Sequence, residues 1–233
     1  MLKNSFDEGF NLELVETAFF DGVLEIPKIE PPKEIFIPKN VIPFSKRNRS
    51  KNFSECVVFY EHDINFADIV RNPEDFVKDL LRFPAVVTPD NSLYRDAPLT
   101  MQIANVYRNR AIGHYLQKNG VYVITNVRWG DERSYSNEFL SENGEKIILP
   151  EKFAFLGAPK NSIVSVGTYG CIKSKEDKFY FREGLEAMLD ELMPEVVLVY
   201  GSMPKKIFTA EILSKTNFVR YSDWISQVRK KVD

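Results

Sequence analysis

The chain has 233 residues, enough for one full-sized domain, and its make-up of 44% hydrophobic, 13% aromatic and 27% charged residues is that of a folded rather than a disordered protein. A formal net charge of −2 excludes a protein that coats long nucleic acid, because such binding needs many phosphates neutralised together, although a local basic patch remains compatible with it. Cys56 and Cys171 are too far apart in sequence to form a redox or zinc pair, no apolar run is long enough to span a bilayer, and residues 1–8 lack the order of a signal peptide, so the expectation is a cytoplasmic protein without a disulfide.

Residues 1–55 read as a Pro-rich extension packed on the core. Pro27, Pro31, Pro32, Pro38 and Pro43 keep this stretch extended or turning, and the alternation Ile35-Phe-Ile37 suggests a short edge strand. The basic run 46–51 (Lys-Arg-Asn-Arg-Ser-Lys) is either a solvated loop or a phosphate-facing arm. From 56 to 233 the pattern is regular and reads as a single α/β domain. Residues 56–60 (Cys-Val-Val-Phe-Tyr) make the first buried strand, ended by Glu61, His62 and Asp63. Asn72 and Pro73 open a helix as N-cap and first-turn proline, with Phe76, Val77, Leu80 and Leu81 on its apolar face.

Residues 85–88 give the second strand. A longer helix runs from Pro98 to Gln117; its stripe is Leu99, Ile103, Val106, Tyr107, Ala111 and Tyr115, and Asn119-Gly120 stops it. Within it, Arg108 and Arg110 read as surface cations, and His114 as structural. Residues 121–125 are the third strand. The stretch 134–160 is irregular, with a hint of strand at 146–149, and its length suits a lid or binding loop. Residues 162–166 follow as the fourth strand. Ser174 and Asp177 then form a capping box, opening a helix whose Phe181, Leu185, Met188 and Leu192 share one face. Residues 195–200 are the fifth strand, 207–213 a helix, and 218–221 a sixth strand.

Strands alternating with helices indicate parallel βα units, forming either an incomplete barrel or an open doubly wound sheet. In both, ligands sit at the carboxyl ends of the strands. The most informative segment lies at such an end. Residues 126–133 read Asn-Val-Arg-Trp-Gly-Asp-Glu-Arg, far more chemistry than a turn requires. Other strand ends contribute Glu61, Asp63 and Asp90, then Thr168, Tyr200 and Ser202, with Arg95 on the loop after the second strand.

Glu61 and Asp63, two residues apart on a strand, would point the same way and with Asp90 could hold Mg²⁺ or Mn²⁺; Asp131 joins them as an acid-base candidate. The bland alternative is a solvated strand end whose acids cap helices. Arg128 and Arg95 suit a phosphate, Trp129 a stacked base, and Asn126, Thr168, Tyr200 and Ser202 further substrate contacts. Alternatively Trp129 plugs the core while Arg128 pairs with Asp131 or Asp90.

The strings Ser92-Leu-Tyr-Arg-Asp96, Tyr107-Arg-Asn-Arg110, Asn-Val-Arg-Trp-Gly-Asp from 126, Gly167-Thr-Tyr-Gly-Cys171 and Val199-Tyr-Gly-Ser202 carry a family resemblance. From Phe59 to about Tyr221 the chain resembles a family of bacterial, phage and mobile-element proteins known as domain of unknown function 4417. The resemblance implies a prokaryotic or phage setting and marks the same strand ends; it implies no reaction. The leading expectation is a phosphate-directed enzyme acting on a nucleotide or nucleic-acid end with a divalent cation. The rival is a non-catalytic phage or mobile-element protein that binds a nucleotide, nucleic acid or host protein. A glycosidase-like carboxylate pair ranks third, because it leaves the arginines without a role.

Overall fold

The computed structural model describes residues 11–141 and 143–229, so the opening segment 1–8 lies outside the described residues. Seven parallel strands form the main sheet: β1 (Val41–Pro43), β2 (Cys56–Val58), β3 (Val86–Val87), β4 (Val123–Asn126), β5 (Ile163–Gly167), β6 (Val196–Tyr200) and β7 (Asn217–Tyr221). Their order in space follows their order in sequence without reversal. A doubly wound sheet needs a reversal. This one curls into a half-barrel, so of the two architectures the incomplete barrel holds.

Helices α1 (Ala67–Arg71) and α2 (Val77–Leu80) connect β2 to β3, and α3 (Leu99–Lys118) connects β3 to β4. Helix α4 (Glu132–Tyr135) begins the long link to β5. Helices α5 (Lys175–Leu192) and α6 (Ala210–Ser214) make the next two crossovers, and α7 (Trp224–Arg229) follows β7. Because side chains alternate along a strand, the sheet presents two apolar faces. Val57, Phe59, Val86 and Val123 pack outward with Ile112 and Leu116 of α3, while Cys56, Val58, Tyr60, Val87, Ile124 and Leu198 form a separate inner cluster.

The Pro-rich segment straps that inner face. Tyr122 Oη accepts from Phe36 N and donates to the Glu34 carbonyl, both at 2.8 Å, and Tyr221 Oη donates to the Pro38 carbonyl at 2.6 Å. Tyr221 ends β7 and Pro38 just precedes β1, so the strap ties the two edges of the curled sheet together.

Several expectations need correction. Residues 35–37 form no strand; the edge strand is β1, which tolerates Pro43 because an edge bonds on one side only. The Asn72 helix is a 3-10 turn (Pro73–Phe76) running into the short α2, and Leu81, past its end, is exposed. The helix expected from 207 starts at Ala210, where Thr209 caps it, while Ile207 and Phe208 are buried ahead of it. Basic residue Arg47 is part of the packing: it pairs with Asp79 at 2.7 Å and lies 4.0 Å over the Phe44 ring. Helix α5 is as expected, with both halves of the Ser174–Asp177 capping box formed and Phe181, Leu185, Met188 and Leu192 buried.

The stretch 134–160 divides in two. A hairpin, Glu138–Leu140 with Lys146–Ile148, stands outside, and the turn Phe153–Phe155 is buried in the core. What holds the buried half is Arg110. Far from being a surface cation, it is 1% exposed. It donates to the carbonyls of Asn126 (2.8 Å), Leu156 (2.9 Å) and Ala154 (3.1 Å), and to Asn109. Burial pulls its ionisation down, to about 9. His114 is structural, its Nε2 3.1 Å from Thr17 Oγ1.

Candidate functional site

A half-open cleft of about 170 Å³ lies where β4 and β5 end. One wall is the chain leaving β4, from Val127 through Arg128 and Trp129 to Gly130. Gly167, Gly170 and Cys171, at and after the end of β5, form the second, and the first turns of α5 supply Asp177, Tyr180 and Phe181. Leu93, Tyr94 and Arg95 complete the lip. Two guanidiniums and several aromatic rings therefore share one small hollow at the carboxyl end of a parallel sheet, the place where such sheets hold ligands.

Each arginine is held in place. Arg128 Nη1 donates to Asp90 Oδ2 at 3.0 Å, and Asn126 Nδ2 donates to Asp90 Oδ1 at 2.8 Å, so the carboxylate is bonded through both oxygens. Asn126 is a hub. Its N–H donates to Thr88 Oγ1 (2.9 Å), its carbonyl accepts from Arg110, and its Oδ1 accepts from Tyr60 Oη (3.1 Å), which is 2.6 Å from Ser165 Oγ. Behind the exposed fraction of Arg128 thus stands a buried, hydrogen-bonded scaffold drawn from β4, β5 and the segments leaving β2 and β3. Such networks rigidify what they hold.

Arg95 is fixed differently. It pairs with Asp177 at 2.8 Å and Glu176 at 3.1 Å at the start of α5, and its guanidinium lies 4.9 Å over the Tyr180 ring. Arg133 bridges Asp131 to the Arg95 carbonyl, buttressing the same loop.

Burial raises Asp90 above its ordinary value of 3.8, while Arg128 and Asn126 pull it down and Asp63 pushes it up. Burial opposes the charge on Arg128, yet Asp90, Cys171 and Asp63 together hold it above the usual range. Cys171 is raised by burial, with Arg128 acting the other way. A consequence can be measured. The folded chain keeps the Asp90 proton to higher pH than the unfolded chain, so this carboxylate subtracts stability as pH rises through the mildly acidic range. Asp90→Asn has no such titration. In urea unfolding from about pH 4 to about pH 7, the stability of the parent relative to Asp90→Asn is expected to fall with rising pH. A relative stability that grew with pH would contradict the placement of Asp90.

The structure disperses some of the sequence candidates. Arg95, Arg128 and Trp129 line the cleft, with Asp90 directly behind. Trp129 is only 6% exposed, tilted against Phe181 at 5.1 Å, so little of its indole is open for stacking; Tyr94, at 62%, is the exposed ring. Asn126, Thr168 and Tyr200 are buried behind the rim, Thr168 Oγ1 donating to the Ser202 carbonyl at 2.8 Å; Ser202 itself is exposed on the next loop.

Glu61 and Asp63 do not act as a pair. The strand ends at Val58 and Asp63 already opens a 3-10 turn, so the strand alternation that would align the two acids does not reach them. Glu61 accepts from Ser45 N (2.8 Å), whereas Asp63 accepts from Ser92 Oγ (2.8 Å). Asp131 caps α4 and binds Arg133. Among the described residues no three His, Cys, Asp or Glu side chains gather to hold a metal, so Glu61, Asp63 and Asp90 do not constitute one ready-made site.

Missed in sequence as parts of the site were Cys171, Asp177 and Tyr180. The capping box carried a usable signal for two of them. A helix following a parallel strand starts at the ligand-bearing end of the sheet, so Asp177 and Tyr180, one turn in, belonged among the candidates.

Cys56 and Cys171 are both free, and no described helix is long and apolar enough to cross a membrane. Two phage proteins are similar to the chain. The Gene 1 protein of Mycobacterium phage L5 is 29% identical over 196 residues, covering 82% of this chain and 77% of its own length. The Gene 1 protein of Mycobacterium phage D29 is 28% identical over 195 residues, again 82% of this chain, which spans only 66% of that relative. The sequence model of the domain of unknown function DUF4417 matches residues 18–221, reaching well upstream of Phe59 into the Pro-rich strap and β1. With most of its length matched, the chain belongs to the DUF4417 family.

Proposed function

We propose that the cleft binds the phosphate-bearing end of a nucleotide or nucleic acid. The observation that carries this reading is the Arg128 guanidinium, presented to the hollow by a buried carboxylate and amide while keeping 22% of its side chain exposed. A cation positioned this way, with donors to spare and no flexibility to lose, suits an oxyanion. Tyr94 and Tyr180 offer faces for a base or sugar, and Arg95 a second positive charge at the lip. The phage setting of the relatives agrees with a nucleic-acid-related ligand.

Catalysis is the stronger form of the same proposal. In it a divalent cation enters with the phosphates, and Asp90, whose carboxylate Arg128 and Asn126 hold in place, lies behind the bound group. Titration calorimetry with nucleoside mono-, di- and triphosphates, with and without Mg²⁺ or Mn²⁺, tests both forms. Arg128→Met is expected to weaken binding at least about tenfold, the loss of one charge-assisted contact. Unchanged affinity in that variant, or no binding of any nucleotide by the parent, overturns the proposal. Product formation that depends on Asp90 separates enzyme from binder.

A further inference from the structure

Beside the cleft, the loops after β5 and β6 carry lysines on stretches without acids, as the basic run 46–51 does elsewhere in the chain. Lys173, Lys175, Lys205 and Lys206 are all exposed, and among the described residues none takes part in an ion pair. Neither 163–175 nor 196–210 contains an Asp or Glu. Of the acids that border these stretches, Glu176 and Asp177 are occupied by Arg95, while Glu195 and Glu211 flank the second. The two loops touch: Thr168 Oγ1 donates to the Ser202 carbonyl, and Ile172 and Met203 pack on the same core cluster. Lys173 follows directly on Ile172, two residues beyond Cys171 of the cleft wall, and Lys205 comes two residues after Met203. In a protein of net charge −2, four unneutralised cations concentrated next to one hollow form a distinct electrostatic feature.

Resting on the reading of the cleft given above, we infer that this lysine platform is a track for a single-stranded polynucleotide whose terminal phosphate enters the cleft. The chemistry favours a single strand over other polyanions. Tyr169, 48% exposed, lies on the same loop as Lys173, and Tyr94, 62% exposed, lines the cleft, so bases have rings to stack on while the lysines follow the backbone. A duplex keeps its bases inside and leaves those rings unused. The ligand of the site is then the end of a strand rather than a free mononucleotide, and the platform supplies affinity that a mononucleotide cannot use.

The test compares a 5′-phosphorylated oligothymidylate with thymidine 5′-monophosphate on the parent and on Lys173→Gln/Lys175→Gln/Lys205→Gln/Lys206→Gln. The substitutions lie on the surface, and a thermal melt establishes that the variant is folded. The parent is expected to bind the oligonucleotide more tightly than the monophosphate, with affinity falling steeply with salt. In the variant the logarithmic salt slope should shrink by about 0.7 per lysine removed, oligonucleotide affinity should drop at least about tenfold, and monophosphate affinity should stay as it was. An unchanged slope, or equal binding of a duplex or of polyglutamate, overturns the track. Failure of the monophosphate to bind the parent at all instead overturns the reading of the cleft.

Discussion

Arg110→Met is expected to destabilise the protein by about 3–5 kcal/mol, the range seen when one member of a buried charged network is removed. The guanidinium fills a site with no exposed side, and besides the Asn109 amide oxygen its partners are the main-chain carbonyls of Asn126, Ala154 and Leu156. Methionine matches much of the volume but donates nothing. Those carbonyls cannot be exchanged for apolar groups, and each buried acceptor left alone costs about 1–3 kcal/mol. Arg110→Lys should be nearly as damaging, since an ammonium cannot span acceptors arranged for a planar fork. For a chain of this size the midpoint of thermal unfolding should drop by roughly 10 °C. Because the Asn126 carbonyl is one of the acceptors, ligand affinity in the cleft should also fall. A loss below about 1 kcal/mol would mean that the guanidinium does not occupy this interior position.

Gly184→Val is expected to cost about 2–3 kcal/mol and to disturb the cleft. At an exposed helical position, replacing glycine by alanine would stabilise by about 1 kcal/mol. Here a Cβ would stand 2.3 Å from Trp129 Cδ1 and Nε1, inside the indole. The ring must move, and because Trp129 and Phe181, 5.1 Å apart, both line the hollow, its displacement reshapes the cleft. In a Trp224→Phe background, which leaves Trp129 as the only indole, the Gly184→Val emission should shift to the red and nucleotide affinity should fall. An unshifted spectrum would indicate that α5 and the Trp129 segment are not in this contact.

How much of this was legible in the sequence depended on range. Helix α5 was readable because Ser174, Asp177 and the stripe from Phe181 to Leu192 are local signals, and α3 because Pro98 and Asn119-Gly120 bracket it. The strands of the half-barrel are apolar runs bounded by turn residues, and the sites at their ends followed from parallel topology.

What failed was long-range. Nothing around Arg110 announces burial, since two of its carbonyl acceptors lie more than forty residues later in the chain. Glu61 and Asp63 looked paired only while the strand was assumed to continue, but it stops at Val58 and the two acids take different partners. Ile35 and Ile37 had the alternation of a strand, yet their segment crosses the inner face as a strap, held by Tyr122 and Tyr221 through its main chain. Trp129 could have been stacking surface or core plug, and it is mostly the second; only the fold could decide, because the glycine that makes room for it is on another element.

The most direct measurement is anomalous diffraction from crystals grown with a nucleoside 5′-thiophosphate. A sulfur peak within hydrogen-bonding range of the Arg128 guanidinium, between the ends of β4 and β5, is the expected result. Nucleotide bound with its phosphorus on another face of the molecule, or Arg128 still bonded only to Asp90 while ligand density lies elsewhere, would contradict a phosphate site in this cleft.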